Sequence, residues 1–318
     1  MRILITGATG FVGQHLSRLL VSRAGNQVFG TFLSGDSKSA VAGTNLIRCD
    51  LRDESKVRHV VEDIHPDHVY HLAGLSSVRD SFKDANAVYE ANFFGTLNLL
   101  EAVRCLQTSA RVLLVGSAHA YGAVKRSQMP ITEHQALSPD TPYGVSKAAA
   151  DMLGGQFFQS YGIHVIRARP FNHTGPGQSS DFVCSDFAKQ FAEIEKGLRA
   201  PVLMVGNIRA SRDFSDVRDV VRAYELLLRK GKPGDAYNIA SGRPIRLREI
   251  LAVLSSLVSH KVQVRVEQAR VRQGESNIVY GSNRKIRRAT SWVPEIDLMT
   301  TLRDLYLYWG EVLAAQAR

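Results

Sequence analysis

A short apolar run at the N-terminus leads straight into a glycine-rich turn, and this junction constrains the fold more than any other feature. Residues 2–6 read as a buried strand, and glycines follow at positions 7, 10 and 13, where a helical pattern begins. The first glycine suits a tight turn, the second lets a phosphate approach the backbone, and the third allows close packing of helix on strand. A glycine-rich turn without a ligand is the alternative. The residues expected to bind a dinucleotide here are Gly7, Gly10, Phe11 and Val12.

Short apolar runs alternate with amphipathic stretches through the first two thirds of the chain. The predicted strands are Arg2–Thr6, Val28–Phe32, Asn45–Arg48, His68–Leu72, Arg111–Gly116 and His164–Ala168. The predicted helices between them are Val12–Arg23, Glu54–Ile64, Asn86–Cys105 and Tyr143–Tyr161. This alternation predicts an α/β protein of the Rossmann type, a doubly wound parallel sheet with helices on both faces. Ligands of such sheets bind beyond the carboxyl ends of the strands.

The pattern becomes less regular after Phe171. A loop rich in Gly, Pro and Ser covers residues 172–180, and helices are predicted near Phe187–Lys196 and Asp216–Lys230, with short strands around them. We therefore expect an NAD(P)-binding Rossmann domain at residues 1–171. Residues 172–318 are expected to form mainly a smaller α/β substrate-binding domain, with some of its segments returning to the first domain.

The charge balance calls for an anionic partner. The 318 residues carry a net charge of +10, and residues 243–288 hold eleven Lys and Arg against three Glu, a net of +8. Nucleic acid, an anionic membrane surface and a phosphorylated small molecule are the candidates. The basic run has no interleaved set of aromatic residues of the kind that a base-stacking platform would require, since Tyr280 is the one aromatic residue in it. We therefore expect a small-molecule substrate, with no nucleic acid and no membrane as partner.

Cysteine content and hydropathy indicate a reduced, cytoplasmic protein. The three cysteines are far apart and form no CxxC pair, so neither a metal site nor a disulfide framework is expected. The N-terminus lacks the pattern of a signal peptide, and no apolar stretch is long enough to span a bilayer.

The choice between NADP and NAD depends on the end of the second strand. An NAD site usually has an acidic residue there that binds the ribose hydroxyls. This strand ends without one, and Ser34, Ser37 and Lys38 could meet a 2′-phosphate, which favours NADP, although Asp36 leaves NAD possible. After the third strand, the pair Asp50 and Leu51 could bind adenine. A turn or helix-capping role for the aspartate is the alternative.

Tyr143, Lys147 and Ser117 form a candidate catalytic group. Tyr143 and Lys147 are four residues apart at the start of a helical segment, which places them on one face. A free tyrosine titrates near pKa ~10, and a neighbouring ammonium is expected to lower that pKa so that the phenol can exchange a proton with a carbonyl or hydroxyl. Ser117 follows the fifth strand and could donate a hydrogen bond to the same oxygen. Core packing is the alternative for the Tyr–Lys pair taken alone.

These motifs together resemble the extended short-chain dehydrogenases/reductases that modify nucleotide sugars. The supporting runs are residues 6–13 (TGATGFVG), 71–74 (HLAG), 92–96 (NFFGT), Ser117 and 143–147 (YGVSK). Three later runs, residues 169–178 (RPFNHTGPGQ), 181–190 (DFVCSDFAKQ) and 212–219 (RDFSDVRD), closely resemble the GDP-4-keto-6-deoxy-D-mannose reductases, which make GDP-D-rhamnose. The similarity extends over nearly the whole chain.

The resemblance implies a role for each matching position. Ser117, Tyr143 and Lys147 would be catalytic, with Tyr143 and Lys147 also binding the cofactor beside Leu72 and Ala73. Asn172 would contact the sugar or its phosphates. The other implied substrate-binding residues are Val183 and Lys189 near the nucleotide, Arg212 and Arg272 at the pyrophosphate, and Glu275 at the nucleotide ribose. A homodimer formed through the helices 86–105 and 143–161 is also implied.

The resemblance also bears on the reaction. The related 4,6-dehydratases have an Asp-Glu pair after the catalytic threonine, whereas this chain has Ala118 and His119, which argues against dehydration. We expect NAD(P)H-dependent reduction of the C4 keto group of GDP-4-keto-6-deoxy-D-mannose to GDP-D-rhamnose. The alternatives are a nucleotide-sugar 4-epimerase, a reductase of another 4-keto-6-deoxy sugar, and a non-catalytic RNA-binding or redox-sensing member. His119 is interpreted as lining the cleft, and His71 and His173 as structural.

Overall fold

The computed structural model describes residues 1–33, 40–106, 109–270 and 278–317. The strands are β1 Arg2–Thr6, β2 Gln27–Phe32, β3 Thr44–Arg48, β4 His68–His71, β5 Arg111–Val115, β6 His164–Pro170, β7 Asn172–Thr174, β8 Val202–Val205, β9 Ser211–Asp216, β10 Ala236–Ile239, β11 Pro244–Arg246, β12 Gln263–Val266 and β13 Ile278–Val279. The α-helices are α1 Phe11–Val21, α2 Glu54–Ile64, α3 Val78–Ser81, α4 Ala85–Tyr89, α5 Gly95–Cys105, α6 Pro142–Tyr161, α7 Val183–Glu195, α8 Val217–Lys230, α9 Leu247–Ser255, α10 Arg284–Thr290 and α11 Leu298–Gln316.

Seven strands form one parallel sheet in the order β10-β6-β5-β4-β1-β2-β3. The order reverses beside β1, which leaves a crevice at the carboxyl ends of β1 and β4 where a dinucleotide binds in folds of this kind. Apolar side chains cover both faces of the sheet: α1 and α8 pack on one face, and α2, α5 and α6 on the other. The Rossmann-type parallel sheet expected from the alternating pattern is confirmed.

A second group of elements lies in the C-terminal half of the chain. Strand β9 is central to a small sheet, pairing with β11 on one side and with β7 and β13 on the other. Strands β8 and β12 form a separate parallel pair. Helices α7, α9 and α11 share a hydrophobic cluster with β8 and β9. This group holds most of the residues expected to meet the substrate.

The chain crosses between the two groups more than once. Strand β10 pairs with β6 in the large sheet, with Ala236 opposite Arg167, and helix α8 packs against α1. Residues 217–239 therefore lie with the large sheet although they follow residue 172. The division of the chain at residue 171 stays a prediction.

Two helices differ from the sequence-based expectation. The helix expected over Asn86–Cys105 is interrupted by a π-helical turn at Glu90–Phe94, between α4 and α5. Such turns often occur near functional sites. Helix α7 begins at Val183, four residues before the predicted start at Phe187, because the apolar face that packs on α11 extends into its first turn. Within the described residues, no helix has the length and apolar character needed to cross a membrane.

Candidate active site

The glycine-rich turn has the geometry that its sequence predicts. Gly7 has a φ of +73°, and a Cβ there would lie 3.0 Å from the backbone of Ala73. A Cβ on Gly13 would collide with the carbonyl oxygen of Gly7, which confirms that close packing requires this glycine. Gly10 precedes the first helical residue, Phe11, so the backbone N–H groups of the first turn of α1 point out beyond the strand ends.

A buried chain of hydrogen bonds holds the turn against β4 and α5. The N–H of Ala73 donates to the Thr6 hydroxyl (3.1 Å), which bonds to His71 Nδ1 (2.8 Å). His71 Nε2 bonds to the Thr96 hydroxyl (2.9 Å), which donates to the carbonyl of Asn92. Since Thr96 donates onward, His71 must donate from Nε2 and accept at Nδ1. Burial lowers the pKa of His71 to about 3, so it is neutral and its role is structural, as expected.

Ser117, Tyr143 and Lys147 lie together beyond the carboxyl end of β5. Ser117 follows the strand and accepts a hydrogen bond from the N–H of His119 (3.1 Å). Thr141 caps the N-terminus of α6, which places Tyr143 in the first helical turn and Lys147 one turn later. The side chains of Ser117 and Tyr143 are hydrogen-bonded to each other, and all three residues of the group are buried.

The pKa directions at this group differ in part from the expectation. Burial raises the pKa of Tyr143, and the hydrogen bond from Ser117 opposes that rise. The Lys147 ammonium donates to the carbonyl oxygen of Val115 (3.0 Å), and burial lowers its pKa to about 8. The lowered tyrosine pKa inferred from the Tyr–Lys spacing is therefore wrong for this structure, because removal of the phenol from water is the larger effect.

Asn92 is a residue of this site to which the sequence reasoning assigned no role. It lies in the π-helical turn, and its side chain accepts from the N–H of Leu75 (2.8 Å) and donates to the carbonyl of Leu75 and to Ser146 (2.9 Å). It thereby fixes the loop after β4 against the helix that carries Tyr143 and Lys147. The sequence signal that could have identified it is its position in the run 92–96 (NFFGT), which resembles the family.

A buried ion network lies behind the catalytic helix. Asp151 lies one turn after Lys147 on α6. Its carboxylate accepts hydrogen bonds from Nε and Nη2 of Arg169 (2.8 and 2.7 Å) and from Nη1 of Arg167 (2.9 Å). Arg169 also donates to the Tyr121 hydroxyl (3.0 Å). Asp151 is 1% exposed and Arg169 5% exposed, so the pair is held away from water and joins α6 to β6.

The residues expected on the substrate side belong to three neighbouring elements. Asn172 begins β7 and pairs with Phe214 of β9, two residues after Arg212. Val183 is the first residue of α7, and the Lys189 ammonium on the same helix lies 5.2 Å from the ring centre of Trp309. Strand pairing places Asn172 and Arg212 in one small sheet. Val183 and Lys189 lie on α7, which shares a hydrophobic cluster with Phe214 of β9.

Several expected ligand contacts fall outside the described residues. These are Ser34, Asp36, Ser37 and Lys38 for the cofactor, and Arg272 and Glu275 for the substrate. The other expected cofactor residues lie along one edge of the large sheet: Leu72 and Ala73 follow β4, and Asp50 and Leu51 follow β3.

The contacts of two further site residues, Asp50 and His119, are seen in the structure. Arg52 contacts both carboxylate oxygens of Asp50, at 2.7 Å from Nη2 and 3.0 Å from Nε, and this bond lowers the pKa of Asp50. The ring of His119 stands edge-on to that of Tyr143, with 5.7 Å between centroids. The His119 ring therefore lies against the candidate proton donor, and its cleft-lining role stays a prediction.

Comparison with known proteins identifies the family. The family described as GDP-mannose 4,6 dehydratase matches residues 4–305. The chain belongs to this family. It is 36% identical to a GDP-6-deoxy-D-mannose reductase of Pseudomonas aeruginosa, over 97% of both chains. It is 29% identical to a GDP-mannose 4,6-dehydratase of Yersinia enterocolitica, covering 93% of this chain and 90% of that one.

A solved structure agrees with this assignment. RMD from Pseudomonas aeruginosa complexed with NADPH superimposes with a TM-score of 0.86 at 35% identity, covering 98% of this chain and all of that one. The expected membership of the extended short-chain dehydrogenases/reductases is confirmed, and with it an NAD(P)-dependent enzyme of nucleotide-sugar metabolism.

Proposed function

We propose that this enzyme reduces the C4 keto group of GDP-4-keto-6-deoxy-D-mannose to give GDP-D-rhamnose, with NADPH as the reductant. The observation that carries the proposal is the buried Ser117–Tyr143–Lys147 group beside a glycine-rich turn, in a chain 36% identical over its length to a GDP-6-deoxy-D-mannose reductase.

The nucleotide-binding edge fits a dinucleotide. Gly7 turns the chain, Gly10 leaves the approach to the helix N-terminus free of a side chain, and the N–H groups of Phe11 and Val12 can bind the pyrophosphate. Leu72 and Ala73 line the same edge. When bound, the cofactor would supply the hydride. The glycine-rich turn with Leu72 and Ala73 would hold it, and Lys147 would bind its nicotinamide ribose, as the family resemblance implies.

The protein supplies the proton. Tyr143 with a raised pKa is protonated at neutral pH, which is the state needed to donate to the alkoxide that develops at C4. Ser117 bonds to Tyr143 and can donate to the same oxygen. The Lys147 ammonium, held by Val115, favours negative charge on Tyr143 after the proton has left.

The segment after β5 favours reduction over water elimination. Elimination across C5 and C6 needs an acid and a base near the sugar, and the family contains dehydratases. Residues 118 and 119 are Ala and His here, in a short 3₁₀ turn that follows Ser117. His119 packs on Tyr143, so the two carboxylates expected of a dehydratase are replaced by a methyl group and an imidazole.

The substrate's diphosphate is assigned to the small sheet. Arg212 has forked, permanently charged donors suited to a diphosphate, and Asn172 on the adjoining strand is positioned for the sugar or its phosphates. Val183 and Lys189 contact the nucleotide from α7. Arg272 and Glu275 complete the proposed substrate contacts from outside the described residues.

We further propose that the enzyme is a homodimer joined through α5 and α6. Apolar side chains are exposed on α6 and in the π-helical turn that precedes α5: Val145 (41%), Met152 (65%) and Tyr161 (50%) on the helix, and Phe94 (51%) in the turn. Val145 and Met152 are seven residues apart, hence on one face of α6. An apolar helix face of this kind is typical of a surface covered by another protein chain.

The assay that tests this function follows NADPH oxidation with enzymatically prepared GDP-4-keto-6-deoxy-D-mannose. We expect one NADPH to be oxidised for each sugar reduced, and GDP-D-rhamnose as the product by NMR. A 4-epimerase, the second candidate because UDP-glucose 4-epimerase of Thermotoga maritima shares the fold at a TM-score of 0.88, would interconvert sugars without net NADPH oxidation.

A further inference from the structure

Three aromatic rings join the cofactor-binding turn to the segment after β6. Phe11, the first residue of α1, lies parallel to His173 of β7, with centroids 6.2 Å apart and an interplanar angle of 8°. His15, one turn along α1, stands edge-on to Phe11 at 5.5 Å. Gly177 completes the contact: a Cβ there would lie 3.8 Å from the Phe11 ring.

Hydrogen bonds fix the two histidines of this cluster. His15 Nε2 lies 2.8 Å from the carbonyl oxygen of Pro176, and His173 Nδ1 lies 3.0 Å from that of Phe171. A carbonyl only accepts, so each ring donates from the named nitrogen. Burial lowers the pKa of both histidines, which keeps them neutral. In this cluster they therefore act as neutral rings that pack and donate hydrogen bonds.

The segment held by this cluster is tied onward to α7. Gln178 donates to the carbonyl of His173 (2.9 Å) and accepts from the Thr174 hydroxyl (2.6 Å). The Ser185 hydroxyl donates to the carbonyl of Gln178 (2.6 Å), and Ser185 lies in the first turn of α7. Trp309 of α11 donates to Ser185 (2.9 Å). The contacts thus form a continuous series from the glycine-rich turn to the helix that carries Lys189.

We infer that His15 is a positioning residue that fixes the substrate-side segment 172–178 relative to the cofactor-binding turn. The inference rests on the proposed function, because it takes the first turn of α1 as the cofactor site and residues 172–189 as the substrate side. Hydride transfer needs its two reactants in one defined geometry, and a displacement of about 1 Å can lower the rate by about 100-fold. The His15–Pro176 bond ties a side chain of α1 to the backbone between Asn172 and α7.

This arrangement has a thermodynamic consequence. A cofactor that orders the start of α1 also orders segment 172–178, because the His15–Pro176 hydrogen bond joins the two. Each ligand is therefore expected to favour binding of the other. NADP⁺ is therefore expected to tighten GDP binding by about fivefold or more, the lower end of typical couplings between sites. By thermodynamic reciprocity, GDP tightens NADP⁺ binding by the same factor.

The test compares His15→Leu with His15→Gln. Leucine removes the hydrogen bond to Pro176, whereas glutamine keeps an N–H donor of similar reach. His59→Leu is the matched control, since His59 is exposed on α2 and, among the described residues, bonds to the carbonyl of Ser55 one turn earlier in the same helix. Thermal unfolding of each variant reports whether it is folded. Titration calorimetry then gives the Kd of GDP with and without saturating NADP⁺.

In His15→Leu we expect the ratio of the two GDP dissociation constants to fall to near one and kcat to fall by about tenfold. His15→Gln restores both, and His59→Leu matches the wild type. The inference is overturned if folded His15→Leu keeps the wild-type ratio of GDP dissociation constants, or if that ratio is one in the wild type. In either case, GDP binding by the wild type would still support the proposed function. A wild-type enzyme that does not bind GDP overturns both.

Discussion

The Lys147 ammonium donates a 3.0 Å hydrogen bond to the carbonyl oxygen of Val115, the last residue of β5 and two residues before Ser117. This bond joins the catalytic helix to the end of the strand that carries the serine. It fixes a buried positive charge one turn from Tyr143, so that the three side chains form one unit. The orientation of Lys147 is therefore set by the protein itself.

Replacing Tyr143 by Phe removes the proton donor and leaves the ring. We expect kcat to fall by about 10²–10⁴-fold, the usual contribution of a positioned acid. The Kd of NADPH, measured by fluorescence titration, should change by less than about threefold, because the turn at Gly7 is untouched. Tyr161→Phe on the same helix is the control, since Tyr161 is half exposed and remote from Ser117. Wild-type turnover in Tyr143→Phe would remove Tyr143 from the mechanism.

The ionisation of Lys147 should make kcat depend on pH. Its pKa is lowered to about 8 by burial, so the side chain is charged below that pH and loses its proton above it. Because the charged form stabilises the Tyr143 phenolate, kcat should fall as pH rises through about 8. Lys147→Arg keeps its charge at all these pH values and should lower kcat yet abolish the fall. An unchanged alkaline limb in the arginine variant would assign that ionisation to another group.

The buried neutral His71 should make the folded state less stable at acidic pH. Its pKa is about 3 when folded and near 6.5 in an unfolded chain, so between these values the unfolded state binds more protons. The free energy of unfolding should therefore fall as pH decreases from 6.5, by up to about 1.4 kcal/mol per pH unit from this residue. Urea unfolding of His71→Gln should show a shallower pH slope than the wild type. The exposed His59→Gln serves as control, and an equal slope in His71→Gln would refute the assignment.

Asp151→Asn is expected to destabilise the fold strongly. It leaves the guanidinium groups of Arg167 and Arg169 without their carboxylate, and breaking a buried pair typically costs about 3–5 kcal/mol. Urea unfolding measures the loss. The control is Asp80→Asn, which removes the exposed Lys83–Asp80 pair and should change stability far less, because solvent screens an exposed ion pair. Equal effects of the two substitutions would show that the buried network contributes little.

Met152→Glu tests the proposed dimer. A charge on the apolar face of α6 should convert the dimer to a monomer, as measured by light scattering after size-exclusion chromatography. Met299→Glu is the matched control: Met299 is 61% exposed on α11, away from α5 and α6. A Met152→Glu protein of unchanged mass, or a monomeric wild type, would contradict the proposed interface.

Much of the large sheet was predictable from the sequence because its strands are apolar runs separated by helical periodicity. β1 has the predicted bounds, and β2 differs by one residue. The small sheet was not predictable in the same way: β11 and β13 have three and two residues, too few for a periodic pattern, and their pairing with β9 is made by distant parts of the chain.

The site, like the fold, was predictable where a local sequence pattern exists and was not predictable where it depends on contacts between distant residues. The spacing of Tyr143 and Lys147 fixed their shared face, and the position of Ser117 after a strand placed it near them. The bond from Asn92 to Ser146 joins residues 54 positions apart, and the Asp151–Arg169 pair joins a helix to the next strand, so neither has a local signal. The raised pKa of Tyr143 was missed because it depends on burial, which spacing alone does not reveal.

Deuterium transfer tests the central claim most directly. The enzyme is supplied with GDP-4-keto-6-deoxy-D-mannose and NADPH that carries deuterium at both C4 positions of the nicotinamide, and the product is analysed by NMR. We predict GDP-D-rhamnose with one deuterium at C4 of the sugar for each NADPH oxidised. A product without deuterium at C4, or unchanged NADPH in the presence of the keto sugar, would contradict the proposed reduction.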